Sequence, residues 1–296
     1  MSGIKSREEK IFVCIAHLVM ILLAIFAIAP FILLVSSSFT NNDILIKEGY
    51  SFWPKVFDLA AYEYIAREWT QIGNAYGVTV FVTIVGTVLS LMIVSMAGYA
   101  LSQKGIPGMK VILVLILITM LFNGGAVSSY IIYSNIFKIK NTIFALLIPN
   151  LLLNGFNVVL VKNYMQHSIP AELSEAAEID GAGPFKVFYG IVLPLSKPIL
   201  ATVGLLTAVT YWNDWNNGLY YITESKYYSI QLLLNQMNNN VQYLASHSQL
   251  AGAARSMPST TMRMAIAVVG ILPIVIAYPF FQKYFEKGIT MGAVKG

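Results

Sequence analysis

Apolar positions fall in six long runs, at about residues 11–36, 76–102, 109–130, 141–165, 198–221 and 260–282. Crossing the hydrocarbon core of a bilayer takes about 20 apolar residues in a helix, and each run is long enough. The pattern predicts an all-α chain whose residues 1–296 form one transmembrane domain of six helices. Two runs carry interruptions, Asn123-Gly124-Gly125 in the third and Pro149-Asn150 in the fourth. Such breaks are tolerated where neighbouring helices satisfy the freed backbone groups.

The connections differ in character. Residues 37–75 are a long polar loop with five acids, and residues 103–108 a tight turn containing Gly105, Pro107 and Gly108. Residues 166–197 carry a run of carboxylates, and residues 222–259 are rich in Asn, Gln and Tyr. No internal repeat or low-complexity tract stands out.

Composition agrees with the pattern. Only 11% of residues are charged and the mean hydropathy is +0.67, whereas a soluble domain is nearer a quarter charged. Lys5, Arg7 and Lys10 ahead of an apolar run resemble a secretion signal, but at about 25 residues the run is too long for one. It reads as a retained first helix. Cys14, the single cysteine, cannot form an internal disulfide and reads as a small buried hydrophobe. His17, His167 and His247 lie far apart without metal-ligand spacing, so no metal is expected.

The net charge of +5 fits basic residues retained on the cytoplasmic side. No basic cluster interleaved with aromatics points to nucleic acid. With both termini inside, the inner segments hold 11 Lys and Arg and the outer ones 8. The short 103–108 turn and the basic termini carry most weight, because charge next to helix ends sets orientation. Residues 166–197 then face the cytoplasm, and 37–75 and 222–259 face outside.

Residues 172–194 read ELSEAAEIDGAGPFKVFYGIVLP. Pro170 suits a helix start, and Glu172 sits favourably in its first turn. Gly181-Ala182-Gly183 ends the helix, and Pro184 opens a second short one with Phe185 and Phe188 on one face. Small residues on one side and acids on the other suit a helix covered by a partner; a solvated loop is the alternative on physical grounds alone.

Glu175-Ala176-Ala177, three residues, Gly181, nine residues, Ile191, one residue and Leu193-Pro194 match the EAA motif of ABC importer permeases. The chain resembles that family along its whole length. Glu-Ala-Ala-Glu-Ile-Asp-Gly-Ala-Gly, Leu-Pro-Leu-Ser-Lys-Pro and the tail from Lys287 to Gly296 are similar to the carbohydrate branch, the maltose-type second permease. The resemblance implies that 166–197 carries a coupling helix, between membrane helices four and five, that docks on a cytoplasmic ATPase. Glu175, Ala176, Ala177, Asp180, Gly181 and Ala182 would form the docking surface. It further implies a homologous second permease, two ATPase subunits and an extracytoplasmic sugar-binding protein, in a bacterial-type cytoplasmic membrane. In that branch the loop between helices five and six reaches the binding protein. Here that loop holds Gln236, Asn238, Asn239 and Asn240.

The chain lacks the G-x-x-x-x-G-K-[ST] phosphate cradle; Gly105-Ile-Pro-Gly108-Met-Lys110 has the wrong spacing. ATP and magnesium are expected on partner subunits, with no cofactor here and no catalytic residue. The runs hold almost no ionisable residues away from their ends, which argues against ion-coupled transport and suits a neutral cargo. Asn150, Asn154 and Asn157 share one side of a continuous helix, as do Thr79, Thr83, Thr87 and Ser90. Tyr211, Trp212, Asp214 and Trp215 cluster near the end of the fifth run. Amides, hydroxyls and indoles suit sugar binding, and helix–helix packing is the plainer role. The expected function is the permease subunit of an ATP-driven importer of an oligosaccharide. The alternative is the same architecture with glycerol phosphate or a peptide as cargo.

Overall fold

The computed structural model describes residues 7–67, 69–103, 105–246 and 259–293. Every extended element among them is helical, apart from one isolated antiparallel bridge between Thr40 and Phe57. The chain divides into two compact units, residues 1–69 with 236–272 and residues 70–235 with 273–296.

The first unit opens with α1 (Arg7–Ser38), apolar on every side. Among the described residues, the most apolar stretch of Lys10–Ser38 has nothing buried. Cys14 is exposed on it, not buried as its type suggests. The polar segment that follows is folded. It holds α2 (Asn42–Glu48) and α3 (Ala60–Arg67). Phe39 stacks on Phe57 at 5.5 Å and on Tyr62 at 4.9 Å. The Thr261 hydroxyl donates to the Thr40 carbonyl (3.0 Å), which ties in the start of the last helix.

The second unit is built on α4 (Trp69–Ser102). The third run does not form one straight helix. It splits into α5 (Met109–Leu121) and α6 (Gly125–Ile131), the latter continuing as a π turn over Ile132–Ile136, and the two halves bend by 118°. Asn123 and Gly125 supply the reason: the Asn123 side chain accepts from the Gly125 amide (2.9 Å), and Gly125 takes φ +80°. The fourth run likewise splits, into α7 (Phe144–Leu147) and α8 (Gly155–Ser168). Asn141 at φ +55° and Asn150 at φ +60° are left-handed, and no helix continues through that region.

The coupling segment forms α9 (Ala171–Ile179), α10 (Pro184–Val187), a π turn (Phe188–Val192) and α11 (Leu193–Leu195). A 78° bend then leads into α12 (Lys197–Trp212). The fifth run also breaks, because α13 (Asn216–Tyr221) restarts after Asn213-Asp214-Trp215. The expected outer loop 222–259 contains α14 (Ile230–Ser246), and α15 (Ser259–Ala293) follows; residues 247–258 of that loop lie outside the described residues. By length and composition α4 and most of α1 can each cross a membrane singly, and two bent pairs can do so as broken spans.

Two apolar clusters lie along α4 and α12 of the second unit. One gathers Val94, Val158, Val161, Val187, Phe188 and Val203 around the coupling segment. The other gathers Val82, Leu146, Leu147, Tyr211, Tyr221 and Leu232 at the opposite end of α12. Gly98 lets α4 approach α8, since a Cβ there would meet the Val161 side chain at 2.8 Å.

Candidate functional site: a capped coupling helix and a layer of broken helices

The end of α9 shows why the EAA motif has its spacing. The Gly181 amide donates to the Glu178 carbonyl (3.0 Å), and the Ala182 amide reaches back to the Ala177 carbonyl (2.9 Å). Gly181 takes φ +80°. This pair of bonds across a left-handed residue is the Schellman cap, which usually adds an apolar contact between the two outer positions. Here Ala177 and Ala182 both pack against the first apolar cluster. Alanine at 177 and glycine at 181 thus stand four apart because the cap requires it. No atom lies near a Cβ built on Gly181, so backbone conformation alone demands glycine.

The same geometry divides the expected docking surface. Glu175, Ala176, Asp180 and Gly181 are exposed. Ala177 and Ala182 are half-buried against the chain's own core, so they hold the helix down and do not face outward. The two residues turned to the bundle, Ala177 and Ala182, are small enough for close approach. Two apolar residues join the exposed face. Ile179 is 86% exposed and Phe185 70%. Ile179 lies four residues after Glu175 and three after Ala176, the signal that places it on their face.

At the other end of α12 two helix breaks meet, the one between α7 and α8 and the one between α12 and α13. The Tyr211 hydroxyl donates to the Leu147 carbonyl (2.7 Å), and the Asn217 side-chain amide donates to the Pro149 carbonyl (3.0 Å). Both carbonyls belong to the interrupted fourth run, and each unsatisfied backbone group inside a membrane costs several kcal/mol. Tyr211 sits so deep only because α4 has Gly86 beside it, where a Cβ would overlap the phenol ring.

Asn150, Asn154 and Asn157 do not share one side of a helix. Asn150 precedes α8 in a left-handed conformation and is exposed. Asn154 is the N-cap of α8, its side chain accepting from the Asn157 amide (3.2 Å). Asn157 is buried and donates to the Thr207 hydroxyl (3.3 Å), a bond between packed helices. Short amides compete for backbone hydrogen bonds, so they cap and break helices where periodicity alone reads a stripe.

The aromatic cluster divides too. Tyr211 and Trp212 are buried, with Trp212 beside Tyr76 at 6.4 Å. Asp214 accepts from the Asn217 amide (3.3 Å) and so starts α13. Trp215 and Asn213 remain exposed. The surface left around the breaks therefore offers Asn150, Asn154, Asn213 and Trp215: amides and an indole without a net charge.

Thr79 of α4 accepts from the Ile230 amide (2.8 Å) and so anchors α14. Thr83 and Thr87 line a largely apolar groove of about 520 Å³ with Gly204, Ala208, Trp212 and Pro273. The expected binding-protein residues lie on α14, with Gln236 and Asn238 half-buried and Asn239 and Asn240 exposed. Among the described residues no group of three metal-binding side chains occurs.

Comparison with known proteins places these features. Residues 104–291 match the model of the family described as binding-protein-dependent transport system inner membrane component. The polygalacturonan/rhamnogalacturonan transport system permease protein YtcP of Bacillus subtilis (strain 168) is 33% identical, over 98% of this chain and 100% of its own. The arabinooligosaccharides transport system permease protein AraQ of Halalkalibacterium halodurans is 30% identical, over 93% of each chain. One chain in the crystal structure of a bacterial ABC transporter involved in the import of the acidic polysaccharide alginate superposes with a TM-score of 0.80 and 30% identity, covering 96% of this chain and 100% of that one. With its EAA segment inside the matched region, the chain belongs to the family of binding-protein-dependent transport system inner membrane components, the membrane-embedded permease subunits of ABC importers.

Proposed function

We propose that this permease carries an oligosaccharide inward as one half of a heterodimeric pathway, with both of its own termini in the cytoplasm. A homologous permease supplies the other half. Two ATPase subunits, which bind the ATP and magnesium, sit beneath, and an extracytoplasmic binding protein delivers the sugar. The α9 surface of Glu175, Ala176, Ile179 and Asp180 is the handle on the ATPase. The uncharged layer at the helix breaks, Asn150, Asn154, Asn213 and Trp215, faces the cargo.

The carrying observation is the pairing of these two sites through α12. The coupling segment leads into its start, and the broken layer lies at its end. A 16-residue helix is about 24 Å long, so a push on α9 reaches the breaks through one rigid rod. Ligand sites at interrupted helices are a recurrent solution in transporters. The relatives named above are assigned carbohydrate cargo, and none is assigned glycerol phosphate or a peptide.

The test is purification of the complex from the native host, with mass spectrometry of its subunits, followed by uptake into proteoliposomes. A second permease, an ATPase and ATP-dependent accumulation of an oligosaccharide are expected. Uptake that persists without ATP, or purification without any ATPase, rejects the reading.

A further inference from the structure

The exposed residues of the broken layer, Asn150, Asn154, Asn213 and Trp215, are uncharged, and two exposed lysines, Lys138 and Lys140, lie on the segment ahead of the fourth-run break. The segment from Lys138 to Thr142 is tightly fixed. Lys138 and Asn141 both take left-handed φ, at 52° and 55°, a conformation that costs a side-chain-bearing residue energy and gathers at functional positions. Asn141 holds the segment in place. Its side-chain oxygen accepts from the Thr223 amide (2.6 Å), its side-chain amide donates to the Thr223 hydroxyl (2.8 Å), and its backbone amide donates to the Tyr221 carbonyl (3.0 Å).

Lys140 is presented from this clamp. Its ammonium donates to the Tyr130 hydroxyl (3.1 Å) and lies 5.7 Å from the centre of that ring. Tyr130 in turn stacks on Tyr221 (5.9 Å between centroids, 9° between planes). Tyr133 and Tyr220 meet Tyr221 edge-on, and Tyr220 is 46% exposed. Tyr130, Tyr133 and Tyr220, each at least partly exposed and packed around the buried Tyr221, thus form a wall beside one lysine. The acid within the clamp, Glu224, is already paired with Lys226 (2.7 Å). Among the described residues neither Lys138 nor Lys140 has a carboxylate within ion-pair distance, and both are exposed.

We infer that Lys140, with Lys138 beside it, reads carboxylates on the cargo, so that the imported oligosaccharide is an acidic one built of uronate residues. An ammonium bonds a carboxylate about twice as strongly as it bonds a neutral hydroxyl, and tyrosine faces accept the apolar faces of sugar rings. A wall with one held cation selects a charged sugar over an uncharged one of the same shape. Two of the relatives named above, for polygalacturonan/rhamnogalacturonan and for alginate, handle uronate polymers, and AraQ is assigned arabinooligosaccharides. The inference rests on the proposed importer function and refines its cargo.

The test uses the complete transporter with its own binding protein in proteoliposomes, with labelled trigalacturonate and an uncharged arabinotriose as probes. Wild type is expected to import trigalacturonate. Lys140→Gln is expected to raise its KM about tenfold, the scale of one charge-assisted hydrogen bond, and Lys140→Arg to restore most of the loss. Import of arabinotriose but not trigalacturonate overturns the inference and leaves the importer reading standing; import of neither probe rejects both for these cargoes. A Lys140→Gln loss that appears equally in ATPase stimulation by the sugar-free binding protein also overturns it, because the patch is then a protein-docking surface.

Discussion

Gly86 on α4 lies directly against the phenol ring of Tyr211 on α12, with no room between them for a Cβ. Through this contact the missing side chain on one helix sets how deep the tyrosine sits on another. At that depth its hydroxyl reaches the Leu147 carbonyl at 2.7 Å. Tyr211→Phe removes the donor and leaves a buried carbonyl unpaired, at a cost of about 1–3 kcal/mol. Gly86→Ala pushes the ring away and breaks the same bond. The two losses are therefore expected to be strongly non-additive in a double-mutant cycle, read as thermal midpoints in detergent. Simple addition refutes the coupling.

Gly181 makes a separate prediction at the end of α9. Its φ of +80° costs an alanine about 1 kcal/mol, so Gly181→Ala is expected to loosen the α9 cap and partly reduce transport. Gly181→Pro fixes φ near the wrong sign and removes the amide that donates to Glu178. It is expected to abolish transport and to reduce the ATPase recovered with the permease, while the binding protein keeps its affinity for sugar. Normal ATPase recovery with Gly181→Pro contradicts the role given to the cap.

The coupling segment was legible in sequence because its signals are local. Pro170, Gly181 and Pro184 fix where short helices start and stop, and the motif spacing is the spacing of one cap. The apolar runs were legible as hydropathy, but the helix breaks within them were not. Hydropathy cannot tell a straight span from one folded back on itself: residues 109–130 contain enough apolar residues for either, and Asn123 with Gly125 decides. The asparagine stripe failed for a related reason. Periodicity assumes a continuous helix, whereas Asn150 and Asn154 are residues that end one and begin another. Nothing in the pattern showed that Ala177 faces inward and Ile179 outward, because both belong to one short amphipathic turn.

Asn154 allows its two roles to be separated. As the N-cap of α8 it needs only a side-chain oxygen; as a cargo contact it needs its amide. Asn154→Ala removes both, with a cap loss of about 1 kcal/mol. Asn154→Ser keeps the cap and loses the amide. Equal thermal midpoints for wild type and Asn154→Ser, with transport reduced in the serine variant, are the expected outcome. Full transport by the serine variant assigns Asn154 to architecture alone.

The exposed and buried faces of α9 predict opposite failures. Ile179 is almost wholly exposed, so Ile179→Asp leaves the isolated permease as stable as before. It places a charge where an apolar contact with the ATPase is proposed, and burying an unpaired charge is costly. The expected result is an unchanged thermal midpoint with several-fold less ATPase co-purified. Ala177 packs on the Val161 and Phe188 cluster, where extra methylenes cost about 1–3 kcal/mol. Ala177→Leu is thus expected to lower the midpoint first and lose the ATPase only as a consequence. If Ile179→Asp destabilises the permease alone, or Ala177→Leu sheds the ATPase at full stability, the two faces have been assigned the wrong way round. The comparison needs both variants measured in the same two assays, since either loss of ATPase taken singly fits a damaged fold as well as a damaged contact.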